Sequence, residues 1–227
     1  MRESTKRERW EFDEHAAARM AETAWSGSQS FIHPRLARQI VGDYGITQGR
    51  CLDIGCGPAR LTVELARITD LELSGLDRSA AMVEIARRKV TEHGLASRVT
   101  IVEGAVEQIP FPDNHFDLIV SRGAMGFFED KVRAFQEIYR VLKPGGHTYV
   151  GGGDARGWPR DPRTAARKLA FLVSARRRFS NPEWRRLWLT RGEWDNVLKK
   201  AGITDYMIHP GRFWIELRKA DHEPASC

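Results

Sequence analysis

The sequence predicts an open, doubly wound α/β sheet, and three observations carry that prediction. The apolar run Cys51-Leu52-Asp53-Ile54 stops abruptly at Gly55 and Gly57 and gives way to the helical pattern Leu61, Leu65, Ile68: a strand buried on both faces, a sharp turn and a helix start. Further short apolar runs at 71–76, 98–102, 116–120 and 147–150 are separated by helical stretches or turns, as parallel strands with crossover connections require. Finally, Pro210-Gly211 joins runs at 204–209 and 212–217 as a hairpin, which adds an antiparallel pair to five parallel strands.

In order along the chain, residues 6–24 read as a helix with Phe12, Ala16, Met20 and Ala24 near one face, and 25–30 form a polar break. Pro34 opens a second helix carrying Leu36, Ile40 and Val41. After the second strand, which ends at Asp77, Ser79 is placed to cap a helix bearing Met82, Ile85, Ala86 and Val90. Asp113-Asn114 is a turn, and Asp130 caps a helix striped with Val132, Phe135, Ile138 and Leu142, which Pro144-Gly145-Gly146 closes. Behind Gly151-Gly152-Gly153 stand two amphipathic basic helices starting at Asp161-Pro162 and Asn181-Pro182, and Thr190-Arg191-Gly192-Glu193 has the form of a capping box.

The glycine turn lies where a parallel sheet binds ligands, at the carboxyl ends of its strands. A dinucleotide fingerprint wants a small residue three places after the second glycine, and Arg60 stands there. Asp53 would repel a pyrophosphate and attract an ammonium or sulfonium group. Asp77 follows it by 24 residues, about one helix and one strand, so both carboxyls reach the same edge of neighbouring strands. A carboxylate so placed can accept from two vicinal ribose hydroxyls.

Leu52-Asp53-Ile54-Gly55-Cys56-Gly57 resembles the first motif of the class I S-adenosylmethionine-dependent methyltransferases. Ile109-Pro110-Phe111, Phe116-Asp117-Leu118-Ile119-Val120 and Val141-Leu142-Lys143-Pro144-Gly145-Gly146 follow in that family's order and spacing. The resemblance spans residues 46–153 and extends more loosely to 218. It implies a Rossmann-like seven-stranded sheet, strands 1 to 5 parallel with a final antiparallel hairpin strand, and S-adenosyl-L-methionine as cofactor. It also implies methyl transfer by in-line displacement, with no metal required. By position, the cofactor site comprises Asp53, Gly55, Cys56, Gly57, Asp77, Arg78, Met82, Ala105, Val106 and Ser121. Many members carry an aspartate where Ala105 stands, accepting from the adenine amino group; here the Val106 backbone or Glu107 must substitute.

The same resemblance makes residues 1–45 a helical cover over a domain at 46–227, with a basic helical insertion at 154–190. Trp10, Phe12, Asp13, His15 and His33 become pocket candidates, with Asp13, His15 and His33 the available bases for a hydroxyl or ammonium acceptor. Arg122, at the end of the fourth strand beside the methyl group, is the candidate for holding an anionic acceptor. The plainer readings are packed aromatics, exposed histidines and a structural ion pair.

Composition narrows the partners. The net charge of +6 is concentrated between 154 and 191, where 11 Lys and Arg face 3 Asp and Glu, so one surface there meets an anionic substrate, nucleic acid or membrane surface. A small-molecule acceptor is the first reading, because two covers would bury a small ligand. RNA is the second, a non-catalytic cofactor-binding protein the third, and nicotinamide chemistry the last. No stretch approaches the ~20 apolar residues of a membrane span, and the three cysteines form no CxxC pair, so a cytoplasmic protein without disulfides or zinc is expected. The acceptor atom and the oligomeric state are left open.

Overall fold

A computed structural model describes residues 13–152, 156, 161–179, 189–209 and 214–220, with the backbone only for 174–179. Seven strands form one sheet: β1 (Arg50–Ile54), β2 (Glu72–Asp77), β3 (Val99–Glu103), β4 (Phe116–Arg122), β5 (Leu142–Gly151), β6 (Tyr206–His209) and β7 (Trp214–Leu217). Their order is β3-β2-β1-β4-β5-β7-β6. β1 to β5 pair in parallel, while β7 runs antiparallel to both β5 and β6. The order reverses between β1 and β4, and that switch point is where an open sheet offers its crevice.

Alternation along the strands supplies both faces of the sheet. Cys51, Leu118 and Val120 enter one cluster, with Leu36 and Ile40 of α2 (Ile32–Tyr44), Leu61 and Leu65 of α3 (Arg60–Ile68), and Val83 and Val90 of α4 (Ala80–Glu92). Leu52, Ile54 and Ile119 enter the opposite one, with Phe135 and Ile138 of α5 (Lys131–Val141), and Trp194 and Leu198 of α7 (Arg191–Lys200). Trp194 is fully buried, edge-on to Phe135 at 5.7 Å, a site where truncation to alanine costs about 3–5 kcal/mol. A third, small cluster packs Ala17 and Ala21 of α1 (Glu14–Trp25) on Met82 and Ile85 of α4.

The caps are where the sequence puts them. Ser79 accepts from the Met82 amide, Asp130 from the Arg133 amide, and Thr190 with Glu193 closes a reciprocal capping box. One boundary differs. Pro144-Gly145-Gly146 does not close α5 but lies inside β5, which starts at Leu142 directly after Val141 and shifts register against β4 between Phe116 and Leu118. A side chain at Gly146 would meet the Lys143 carbonyl at 2.9 Å, so these glycines make an irregular strand entry. Lys143 then reaches both oxygens of Asp117 at 2.7 and 2.8 Å, tying two of the resembling motifs together at the sheet's amino edge. α2 starts at Ile32, with Pro34 inside its first turn, where a missing amide is harmless. The second basic helix, expected from Asn181, lies outside the described residues; the first is α6 (Pro162–Phe179).

Candidate functional site

The turn after β1 is held by β2. The amides of Gly55 and Cys56 both donate to the Leu76 carbonyl, at 2.7 and 3.1 Å. The Gly57 amide donates to Oδ2 of Asp77 at 2.8 Å, Pro58 has none, and the Ala59 amide donates to the Cys56 carbonyl at 3.0 Å. Every amide from 55 to 59 is therefore committed or missing, which leaves a pyrophosphate no nest of N–H groups at this turn.

The two glycines do different work. Gly55, at φ +64°, is closed in by protein, because a Cβ there would lie 2.3 Å from Cβ of Ala124 in the loop after β4. Gly57, at φ +51°, is open, with nothing among the described residues within 4 Å of a Cβ built on it. A ligand can therefore approach the backbone at Gly57.

The two carboxyls also differ from one another. Asp53 is buried and accepts from Oγ1 of Thr62 at 2.6 Å, so it bridges β1 to α3. Burial pushes its pKa up to about 7, against the Thr62 hydrogen bond, and the nearby Asp77 adds to the rise. The carboxyl read from the sequence as attracting a cationic ligand is thus a group that titrates near neutrality. Asp77 is half-buried and accepts one amide on each oxygen, Ser79 at 3.0 Å and Gly57 at 2.8 Å. Burial raises its pKa too, and those two amides oppose the rise. One lone-pair direction on each oxygen remains, the pattern a pair of hydroxyl donors would fill.

The other expected cofactor residues divide. Ala105 precedes a short 3₁₀ turn, with Val106 buried at its start. Glu107 spends Oε1 on the Glu129 amide at 2.7 Å, and Arg78 pairs with Glu129 at 2.7 Å, so neither side chain is idle. Met82 is buried against α1, and the buried Cys56 has its thiol pKa raised, leaving it a neutral wall. Ser121 is fully buried on β4, and its Oγ has no hydrogen-bond partner among the described residues. An orphaned polar atom of this kind is what a polar ligand in the crevice would satisfy.

Over this edge lie the N-terminal helices. Trp25 donates from Nε1 to the Pro58 carbonyl at 3.0 Å, and Arg60 stacks over its ring at 4.5 Å while pairing with Glu64 at 2.9 Å. Arg122 donates from Nη1 to Oε1 of Gln29 at 2.8 Å and lies 3.5 Å from Nε2 of His33. His33 is buried, and its pKa is well below the usual value because of burial, then Arg122 and Arg60; the Gln29 carbonyl opposes this weakly. Its Nδ1 makes no hydrogen bond of ordinary geometry.

The structure thus brings His33 to Arg122 at the end of β4, while Ser121 precedes Arg122 on the opposite face of that strand. It does not bring Asp13 and His15 with them: Asp13 caps α1 through the Ala16 amide at 2.6 Å, and both are exposed. Trp10 and Phe12 lie outside the described residues. The insertion touches the same cover: Arg167 approaches Ser30 at 3.5 Å, and Phe171 meets Phe31 edge-on at 6.3 Å.

Three residues of the site were not anticipated. Thr62 had a signal, as a hydroxyl on the buried face of α3. Trp25 and Gln29 sit in a polar break with no periodicity, and only the fold shows what they touch.

A family model described as a methyltransferase domain matches residues 52–150. Among solved structures, a Methanococcus maripaludis protein described as a candidate S-adenosyl-L-methionine-dependent methyltransferase is 38% identical, with TM-score 0.80 over 99% of both chains. A Haemonchus contortus phosphoethanolamine N-methyltransferase 2, solved with phosphomonomethylethanolamine and S-adenosylhomocysteine, is 25% identical. Its TM-score is 0.62, over 89% of this chain and 44% of that one. The ubiquinone/menaquinone biosynthesis C-methyltransferase UbiE of Psychromonas ingrahamii is 35% identical over 122 residues, 52% of this chain and 49% of that protein. The chain spans about half the length of the curated relatives it matches.

Proposed function

The chain belongs to the class I S-adenosyl-L-methionine-dependent methyltransferases, and from that premise we propose that it methylates a small acceptor carrying an anionic group, beneath a cover formed by residues 1–45 and 154–190. The observation that supports this reading best is the approach of Arg122, at the end of β4, to buried His33 at 3.5 Å, next to the strand that leads to the open Gly57.

The cofactor fits the residues present. Asp77 would take the ribose hydroxyls on its two remaining lone pairs, and Gly57 would let the ligand lie against the backbone. Asp53 and Asp77 would favour its positive charge, and Val106 would border the base. Bound there, S-adenosyl-L-methionine supplies a methyl group on a positively charged sulfur. The task left to the chain is alignment and water exclusion, worth ~7–11 kcal/mol when the reacting groups are held in line.

Trp25 and Gln29 hold the cover down, through Pro58 and Arg122 respectively. Arg122 holds the anionic group, the role for which a guanidinium is suited. His33, neutral at physiological pH, takes the acceptor's N–H or O–H proton at Nε2, the nitrogen facing Arg122, because the Gln29 carbonyl favours the Nδ1–H tautomer. An anion beside Arg122 offsets the field that depresses His33, so the base strengthens when its substrate arrives. The acceptor seen with the Haemonchus contortus enzyme, phosphomonomethylethanolamine, has this chemistry, a phosphate beside an amine. Cytoplasmic placement is part of the same proposal, supported by free thiols at Cys51 and Cys56.

The test is incubation of the protein with cofactor carrying a labelled methyl group and a cell extract, followed by mass spectrometry of the separated fractions. Label in anionic small molecules is the expected result. Label confined to RNA would overturn the acceptor class, and calorimetric preference for NAD over S-adenosylhomocysteine would overturn the cofactor assignment.

A further inference from the structure

Helix α6 is built inside out. Lys168 is 1% exposed, whereas Leu169, Leu172 and Val173 are 57, 45 and 52% exposed. Of the six large apolar side chains exposed among the described residues, these three fall within five consecutive positions of one helix. At 100° per residue, Thr164, Lys168 and Phe171 share the inward face, where Phe171 meets Phe31. The opposite face carries Leu169 and Val173 with Ala166 and Ala170, while Leu172 borders it; all five are exposed. Arg163 and Arg167 stand along one flank, both exposed, and the helix ends in a segment whose sequence includes Arg176, Arg177 and Arg178. The helix holds no Asp or Glu.

An apolar ridge with Arg163 on its flank, on a helix whose own sequence carries Lys and Arg but no Asp or Glu beyond the capping Asp161, fits a surface that is greasy below and anionic above. We propose that the outward face of α6 docks on an anionic lipid bilayer, with Leu169, Leu172 and Val173 entering the headgroup boundary and Arg163, with the net positive charge of the helix sequence, favouring lipid phosphates. The charge selects anionic over zwitterionic lipid. The ridge separates a bilayer from RNA, because a phosphate backbone rewards arginines but gives exposed leucine and valine nothing to bury against. The proposal does not depend on which acceptor the site takes, since docking uses the face of α6 turned away from Phe31.

The experiment is co-sedimentation of the full chain with vesicles of phosphatidylglycerol and phosphatidylcholine, and with vesicles of phosphatidylcholine alone. Partitioning to the anionic vesicles should exceed that to the neutral ones by about tenfold or more and should weaken as salt rises. Leu169→Glu with Leu172→Glu should reduce it by about tenfold or more, because apolar burial is lost and charge repulsion added. Both positions are exposed, so the melting temperature should stay near the parent's. Arg163→Glu, which leaves the ridge intact, should remove the preference for anionic lipid in part. Equal sedimentation of parent and double variant would overturn the proposal, as would no sedimentation of either. A parent that is dimeric in scattering experiments and becomes monomeric in the double variant would assign the ridge to a second copy of the chain. Retention of RNA that the double variant keeps would assign the cations to nucleic acid.

Discussion

The edge formed by β1 and β2 and the edge formed by β4 are assembled over very different distances in the chain. At the first, the contacts that shape the crevice are local: Thr62 to Asp53 spans 9 residues and Gly57 to Asp77 spans 20. At the second, Arg122 reaches Gln29 across 93 residues, and Arg167 approaches Ser30 across 137. The first is a product of backbone geometry, positive φ angles and committed amides, and a few short-range side chains finish it. The second exists only when the cover, the sheet and the insertion have docked. A cofactor common to a whole family suits the first kind of site, and an acceptor particular to one member suits the second.

The contrast is sharpest at the glycines, where the largest effects are expected. Gly57→Val puts a branched side chain into open space at positive φ, so calorimetry should show affinity for S-adenosylhomocysteine falling by about 100-fold or more, with a smaller loss of stability from the strained backbone, roughly 1–2 kcal/mol. Gly55→Ala should behave the other way round. Its methyl collides with Ala124, so stability falls by about 1–3 kcal/mol from overpacking, and Ala124→Gly in the same chain should recover much of it. If Gly57→Val binds normally, the open space at that turn is not the ligand's.

Next in size, Asp77→Ala should weaken S-adenosyl-L-methionine and S-adenosylhomocysteine alike by about 1.5–3 kcal/mol, because the charge-assisted ribose contact goes and the Gly57 and Ser79 amides lose their acceptor. Equal affinity of variant and parent would remove Asp77 from the site. Arg122→Gln should leave that affinity within twofold while raising KM for an anionic acceptor by about tenfold, with Arg122→Lys intermediate, the charge surviving without the fork. A cofactor affinity that falls with Arg122→Gln would mean the two edges form one site.

How far the sequence could be read follows the same division. The strand ends, Asp77, the Ser79 and Asp130 caps and the Thr190 box were legible because each depends on residues within a few positions or on one strand-helix repeat. The five parallel strands and the final hairpin followed from the apolar runs between helical stretches and from Pro210-Gly211, whereas the strand order needed the structure. The start of β5 was misplaced, since Pro144-Gly145-Gly146 reads as a helix stop, and only pairing with β4 shows a strand. Arg122 and His33 could be nominated singly, but their 3.5 Å approach could not, because Gln29 and the docking of α2 bring it about. The ionisation of Asp53 was not legible for a related reason: identity gives the carboxyl, whereas burial sets its pKa. Likewise the periodicity of 161–179 predicted a basic amphipathic helix but not that Lys168 would be inside and Leu169 outside.

The smallest effect tests the two edges by the sign of their pH response without any ligand. Asp53 titrates at about 7 in the folded chain and near 3.8 when unfolded, so between those values the folded state holds the extra proton. Its contribution is fully present below about pH 4 and is lost as pH rises through 7. For a shift of this size the term falls by roughly 1 kcal/mol between pH 6 and pH 8. His33 has the opposite sign. Its folded pKa is depressed, so the unfolded chain takes the proton first, and stability falls as pH drops below 6.5. Asp53→Asn, which keeps an acceptor for Thr62, should therefore flatten the loss of stability on the alkaline side, and His33→Gln should flatten the loss on the acid side. Urea midpoints at pH 5.5, 7 and 8.5 would show both. A parent and Asp53→Asn variant whose midpoints move in parallel from pH 6 to 8 would mean that the carboxyl is ionised throughout, and that it meets a ligand's positive charge as a full anion after all.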